Sequence, residues 1–113
     1  NILKMKIFAS GDIISMDFNP TKGHEQSGRR PAVVLSNKDY GKLMKMAIVC
    51  PITSNMKKFP VHVPLDDRTK TSGCILCEHI RTVDLSKRNA KFIENLPIDI
   101  FEEVIDITKS FFE

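Results

Sequence analysis

Six residues, Pro31–Ser36 (PAVVLS), do most to constrain the fold. An unbroken apolar run this short, opened by proline and closed by the polar pair Ser36 and Asn37, predicts a strand buried on both faces. Such a strand needs partners on either side, and the chain supplies short β-rich segments separated by turn signals. Asp12–Phe18 carries Ile13, Ile14, Met16 and Phe18 and stops at Asn19 and Pro20. Lys45–Thr53 alternates in part. Val61–Leu65 is flanked by Pro60 and contains Pro64, which confines it to a sheet edge. Gly73–Val83 reads as one further strand, preceded by the polar turn Asp66–Ser72. Residues 21–30, TKGHEQSGRR, are polar, hold two glycines and form a loop. Asn37–Lys42 fits a helical turn with Asn37 as its cap.

The last stretch has a different period. Ile98, Phe101, Val104, Ile105, Thr108, Phe111 and Phe112 recur at steps of three and four, with Glu102, Glu103, Asp106 and Lys109 between them. This is an amphipathic helix that starts after Pro97, with Asp99 placed where the helix dipole favours an acid. The expected fold is therefore mainly β, a small bent sheet or partial barrel with one C-terminal α-helix over an opening. At 113 residues the chain suits a single domain, with no internal repeat and no apolar run long enough to cross a bilayer. The apolar part of the first ten residues is too short for a signal segment. Three cysteines do not pair completely, which points to reduced thiols and a cytoplasmic location.

Charge is unevenly distributed. Residues 1–60 hold ten Lys and Arg against four acids, and residues 61–113 hold seven against ten. The basic first half can steer a polyanion, or its charges simply lie scattered over a solvated surface.

Three groups of residues offer chemistry. Arg30 precedes Pro31, so its backbone is held extended and its side chain is expected at the mouth of the sheet. A guanidinium fixed there suits a phosphate; the structural alternative is an ion pair with Asp17 or Glu25. In a regular strand, Cys74, Leu76, Glu78 and Ile80 share a face. Glu78 is then a carboxylate in an apolar row, either a general base or a structural partner of an arginine. Thr53 and Ser54 place hydroxyls at a strand end, with Lys57 and Lys58 just beyond. Cys74 and Cys77 have C-x-x-C spacing, but in a strand their sulfurs diverge. No second pair completes a zinc site, so packing thiols and no metal are expected.

Taken together, DFNPTKGHEQSGRRPAVVLSN (17–37), PITSN (51–55) and GCILCEHIRTVDLSKR (73–88) resemble, in order and spacing, the blocks of the MazF/PemK/Kid family of toxin endoribonucleases. The likeness runs from about Gly11 through the final helix and leaves the first ten residues as an N-terminal extension. It implies an SH3-like, CcdB/MazF-type β-barrel that dimerises with itself. It also implies an activity, metal-independent cleavage of single-stranded RNA within short motifs, and a cognate MazE-like antitoxin that restrains it.

By position, the resemblance makes Arg30 the catalytic arginine and Thr53 the strand-end threonine. His24 matches a histidine that helps bind or activate RNA, with Glu25 beside it. Glu78 matches the acidic residue of the third block, and Arg88 an RNA-contacting arginine. Some relatives carry a catalytic arginine two residues before that acid. This chain has Leu76 there, which leaves charge stabilisation to Arg30, or to Arg30 and Arg29 together. Lys57 and Lys58 add attraction for the RNA backbone.

The implied reaction uses the RNA's own 2′-hydroxyl and leaves a 2′,3′-cyclic phosphate and a 5′-hydroxyl. Glu78 or His24 serves as base. Two alternatives fit the fold less well. CcdB-like topoisomerase poisons rely on a Trp-containing tail, whereas this chain has no Trp and ends Ser110-Phe111-Phe112-Glu113. A peptide-binding module needs an aromatic groove, and the chain offers a single Tyr.

Overall fold

A computed structural model describes residues 6–18, 28–56 and 58–113. Seven strands and two α-helices follow in the order β1 (Asp12–Asp17), β2 (Arg29–Val34), α1 (Lys38–Met44), β3 (Ala47–Thr53), β4 (His62–Pro64), β5 (Cys74–Leu76), β6 (Arg81–Val83), β7 (Lys91–Asn95) and α2 (Ile98–Ser110). All pairings are antiparallel. The strands are ordered β4-β5-β3-β2-β1-β7, and β6 joins β3 off this path. The result is the mainly-β, barrel-like fold with a C-terminal helix expected from the sequence, although the hydrogen-bonded path from β4 to β7 does not close on itself.

PAVVLS behaves as its composition demands. Ala32, Val33 and Val34 are buried, with β1 on one side and β3 on the other. β3 is the hub. Its first half, Ala47–Val49, pairs with β6, and its end, Ile52 and Thr53, pairs with β5. Pro51 sits where the partner changes. It has no N–H to offer, so it costs a ladder least at such a gap.

The pleat sorts the apolar residues into two cores. On one face Ile13, Val33, Cys50, Ile52, Val63 and Ile75 pack with Ile100 and Val104 of α2. On the other, Ile14, Met16, Phe18, Ala32, Val34, Val49 and Val83 pack together. The start of α2 is pinned by Arg68, which donates to both Asp66 and Asp99 at 2.8–3.2 Å. Asn37 caps α1 as expected, accepting from the Tyr40 N–H at 2.8 Å.

The expectation of one strand over Gly73–Val83 is corrected. β5 ends at Leu76, a 3-10 turn occupies Cys77–His79, and the chain resumes as β6. A single straight strand cannot follow β3 round the bend, so the turn makes the corner between the two ladders. β4 lies at the edge, as its prolines require. β7 has no counterpart in the sequence reading: four of its five residues are exposed, including Phe92 and Ile93, which leaves no alternating pattern to detect. Residues 6–8 of the N-terminal extension also take part in the fold, since Phe8 packs against the second core and the Lys6 ammonium reaches the Ala90 carbonyl at 3.5 Å.

Candidate active site

Arg30 stands opposite Met16 on β1. The β2–β3 pairing ends at Ala32/Pro51, and Arg30 and Thr53 each lie two residues past that pair, at the same end of the ladder. Both have the parity of Ala32, Val34 and Val49, so they project on the face of the second core, at its rim. Arg30 is half-buried and Thr53 buried. The Thr53 hydroxyl oxygen accepts from the Asn55 N–H at 3.2 Å, which leaves its proton to donate outward.

On the other flank Thr53 pairs with Cys74, and Cys74 with Pro64. One pleat further along, Leu76 pairs with His62. Val63 and Ile75 point into the first core, so Thr53, Cys74, Leu76 and His62 share the opposite face, the one carrying Arg30. The segment after β3 lies against it: the Cys74 thiol is 3.8 Å from the Met56 sulfur, and the rings of Phe59 and His62 have centroids 5.3 Å apart.

Glu78 does not lie in an apolar strand row. The 3-10 turn lifts it out, its side chain is 34% exposed, and its Oε2 lies 2.6 Å from His62 Nε2. Its structural partner is thus a histidine rather than an arginine. The turn packs on β3, and Glu78 is near enough to help raise the thiols of Cys50 and Cys77. Burial is the main cause in both; it drives Cys50 far above the usual thiol range and Cys77 up to about 12. Burial likewise raises Cys74. All three cysteines are free, buried packing groups.

The remaining predicted residues separate. It is Arg29, not Arg30, that pairs with Asp17, at 3.1 Å, and its guanidinium also donates to the Asn89 carbonyl at 2.8 Å. Arg88 reaches the Asp17 carbonyl at 3.4 Å, while the Asp17 N–H donates to the Arg88 carbonyl at 2.8 Å. These two arginines brace the ends of β1 and β2 against the segment before β7. Lys58 is exposed beside Phe59. His24, Glu25 and Lys57 lie outside the described residues. A cavity of about 560 Å³ between residues 6–8, the α1–β3 turn and residues 84–90 includes none of the predicted site residues.

Two further residues near the candidate site were not singled out from the sequence. His62 had no signal beyond being a histidine on an edge strand. Arg81 shares the Arg30 face through its pairing with Val49, and its guanidinium carbon lies 5.9 Å from the centroid of the Phe18 ring.

Comparison with known proteins identifies the family and supports the fold. Residues 9–112 match the family described as the PemK-like, MazF-like toxin of type II toxin–antitoxin systems. The chain is 39% identical over 80 residues to the endoribonuclease toxin MazF of Escherichia coli strain K12, an alignment that covers 71% of each protein. The crystal structure of MazF from Deinococcus radiodurans superposes with a TM-score of 0.90 at 34% identity, covering 95% of this chain and 97% of that one. A MazE–MazF structure from the same organism gives a TM-score of 0.84, also at 34% identity, over 95% and 96% of the two chains. The chain belongs to the PemK-like, MazF-like toxin family. The topoisomerase-poison alternative is not favoured.

Proposed function

We propose that this protein is the endoribonuclease toxin of a toxin–antitoxin pair, cutting single-stranded mRNA within a short motif and so halting translation and growth. What supports this reading is that Arg30 and Thr53 both lie two residues past the last β2–β3 pair, Ala32/Pro51, at one end of that ladder, with Glu78 on a turn that packs on β3. The family membership and the relatives named as endoribonucleases support it.

The substrate brings its nucleophile. Glu78 accepts the 2′-hydroxyl proton as the 2′-oxygen attacks phosphorus, and a group such as His24 is the other candidate base. Arg30 meets the growing negative charge from a position already fixed by β2, and a preorganised donor of this kind acts most strongly in the transition state. The Thr53 hydroxyl donates to a phosphate oxygen. Arg30 does not release a proton readily, so its role is electrostatic. Unpaired bases expose the edges that sequence reading needs. Lys57, Lys58, Arg88, Arg29 and Glu25 form the surrounding RNA contacts, and the phosphate-facing cations make binding salt-dependent.

The reading includes a homodimer, a cytoplasmic location and a single toxin domain over residues 1–113, regulated by a MazE-like antitoxin whose acidic segment competes for the RNA surface. The MazE–MazF complex supports the antitoxin partner. The test is cleavage of a long mixed-sequence RNA by the purified chain in excess EDTA, with end-group analysis of the fragments. Cyclic phosphate and 5′-hydroxyl ends at a recurring motif are expected; an intact RNA overturns the reading.

A further inference from the structure

We propose that His62 is a positioning residue for RNA cleavage: it holds the Glu78 carboxylate in the orientation from which that carboxylate takes the 2′-hydroxyl proton. The inference rests on the functional reading above and adds a residue to it.

The contact is short and directional. His62 Nε2 and Glu78 Oε2 are 2.6 Å apart. In the proposed arrangement the carboxylate accepts and the imidazole Nε2–H donates. The two partners differ in exposure in the sense the role requires. The His62 side chain is 15% exposed, with its ring tilted by 46° against Phe59, whereas Glu78 is 34% exposed. The packed group is the imidazole, and the accessible group is the carboxylate.

Without such a tether, a glutamate on a one-turn 3-10 segment samples several rotamers. With Oε2 held, Oε1 keeps a fixed direction in which to accept. The face is also right: His62 and Thr53 lie on the same side of the β3–β5–β4 ladder, the side that carries Arg30.

The step balances simply. The 2′-O–H bond breaks and its proton passes to Glu78 Oε1. The 2′-oxygen bonds to phosphorus, the bond from phosphorus to the 5′-oxygen breaks with its electron pair on that oxygen, and water protonates that oxygen, the hydroxide left behind taking the proton back from Glu78. His62 keeps its own proton throughout.

The experiment is steady-state cleavage of a single-stranded oligonucleotide spanning a mapped cut site. His62→Phe preserves a ring against Phe59 and removes the donor; it should lower kcat about 100-fold, the scale of a misplaced reacting group, with KM within about twofold of the parent. His62→Gln, which restores an N–H donor, should recover most of that loss. In a Glu78→Gln background, His62→Phe should cost nothing further, because its effect passes through the carboxylate. Thermal melts confirm that each variant folds. An unchanged kcat in folded His62→Phe, equal losses in Phe and Gln variants, or losses that multiply with Glu78→Gln would each overturn the inference while leaving the nuclease reading in place. An inactive parent overturns that reading first.

Discussion

A Cβ on Gly73 would lie 2.0 Å from the Thr53 carbonyl oxygen and 2.8 Å from its carbonyl carbon, and Gly73 itself has a φ of +121°. The entry to β5 approaches the end of β3 this closely because no side chain stands between them. Gly73→Ala should therefore be destabilised by about 1–3 kcal/mol or more in urea unfolding, the scale of a strained non-glycine backbone. Cleavage should fall further than the folded fraction accounts for, since relieving the clash moves Thr53.

Arg30→Ala should lose about 10²- to 10³-fold in kcat, the usual effect of deleting a transition-state donor, while its melting temperature stays close to that of the parent. Arg30→Lys should recover only part of this, because an ammonium lacks the planar set of donors. Single-turnover cleavage in EDTA reads both. A folded Arg30→Ala protein that cuts at the parental rate removes Arg30 from the mechanism.

Stability should decline on acidification through named carboxylates. Arg68 donates to Asp66 and to Asp99 and holds both below their ordinary values. Burial acts to raise Glu94, but the N–H groups of Lys70 and Thr71 and the Thr71 hydroxyl outweigh it, and the net shift is downward. A carboxyl whose folded value is depressed stabilises the fold fully above its unfolded value near 4, and that contribution disappears as pH falls through the folded value. Thermal midpoints measured from pH 6 downward should hold near pH 5–6 and then drop below about pH 4. Arg68→Ala should flatten the drop, and a pH-independent midpoint in the parent would refute the assignment.

The three thiols should be inert in the native protein. Burial raises Cys50, Cys77 and Cys74 and so lowers the share of thiolate, the reactive form, in all three. Mass spectrometry after iodoacetamide should show negligible alkylation of the folded chain and three modified cysteines in guanidinium chloride.

Much of this architecture was readable where a residue type has one physical outlet. PAVVLS had to be a doubly covered strand, the three- and four-residue spacing after Pro97 had to be a helix, and prolines kept β4 at an edge. Arg30 was legible because the following proline extends its backbone. Glu78 was legible only as a carboxylate. Its partner lies 16 residues away, and the corner at Cys77–His79 that brings it to His62 arises from the bend of the whole sheet, which no local pattern encodes. The assignment of Asp17 to Arg29 rather than Arg30 turned on strand parity, which a boundary error of one residue reverses. β7 was silent because its side chains face solvent.

The change of partner along β3 has a mechanical corollary. One half of the strand travels with β6 and the other with β5, and Pro51 at the junction has no N–H to donate to either. Rotating one ladder against the other about this point moves the end of β3 that bears Thr53 relative to the half that pairs with β6. Substitutions at Cys50 and Pro51, well inside the molecule, should thus shift the geometry at the end of β3 without altering any residue there.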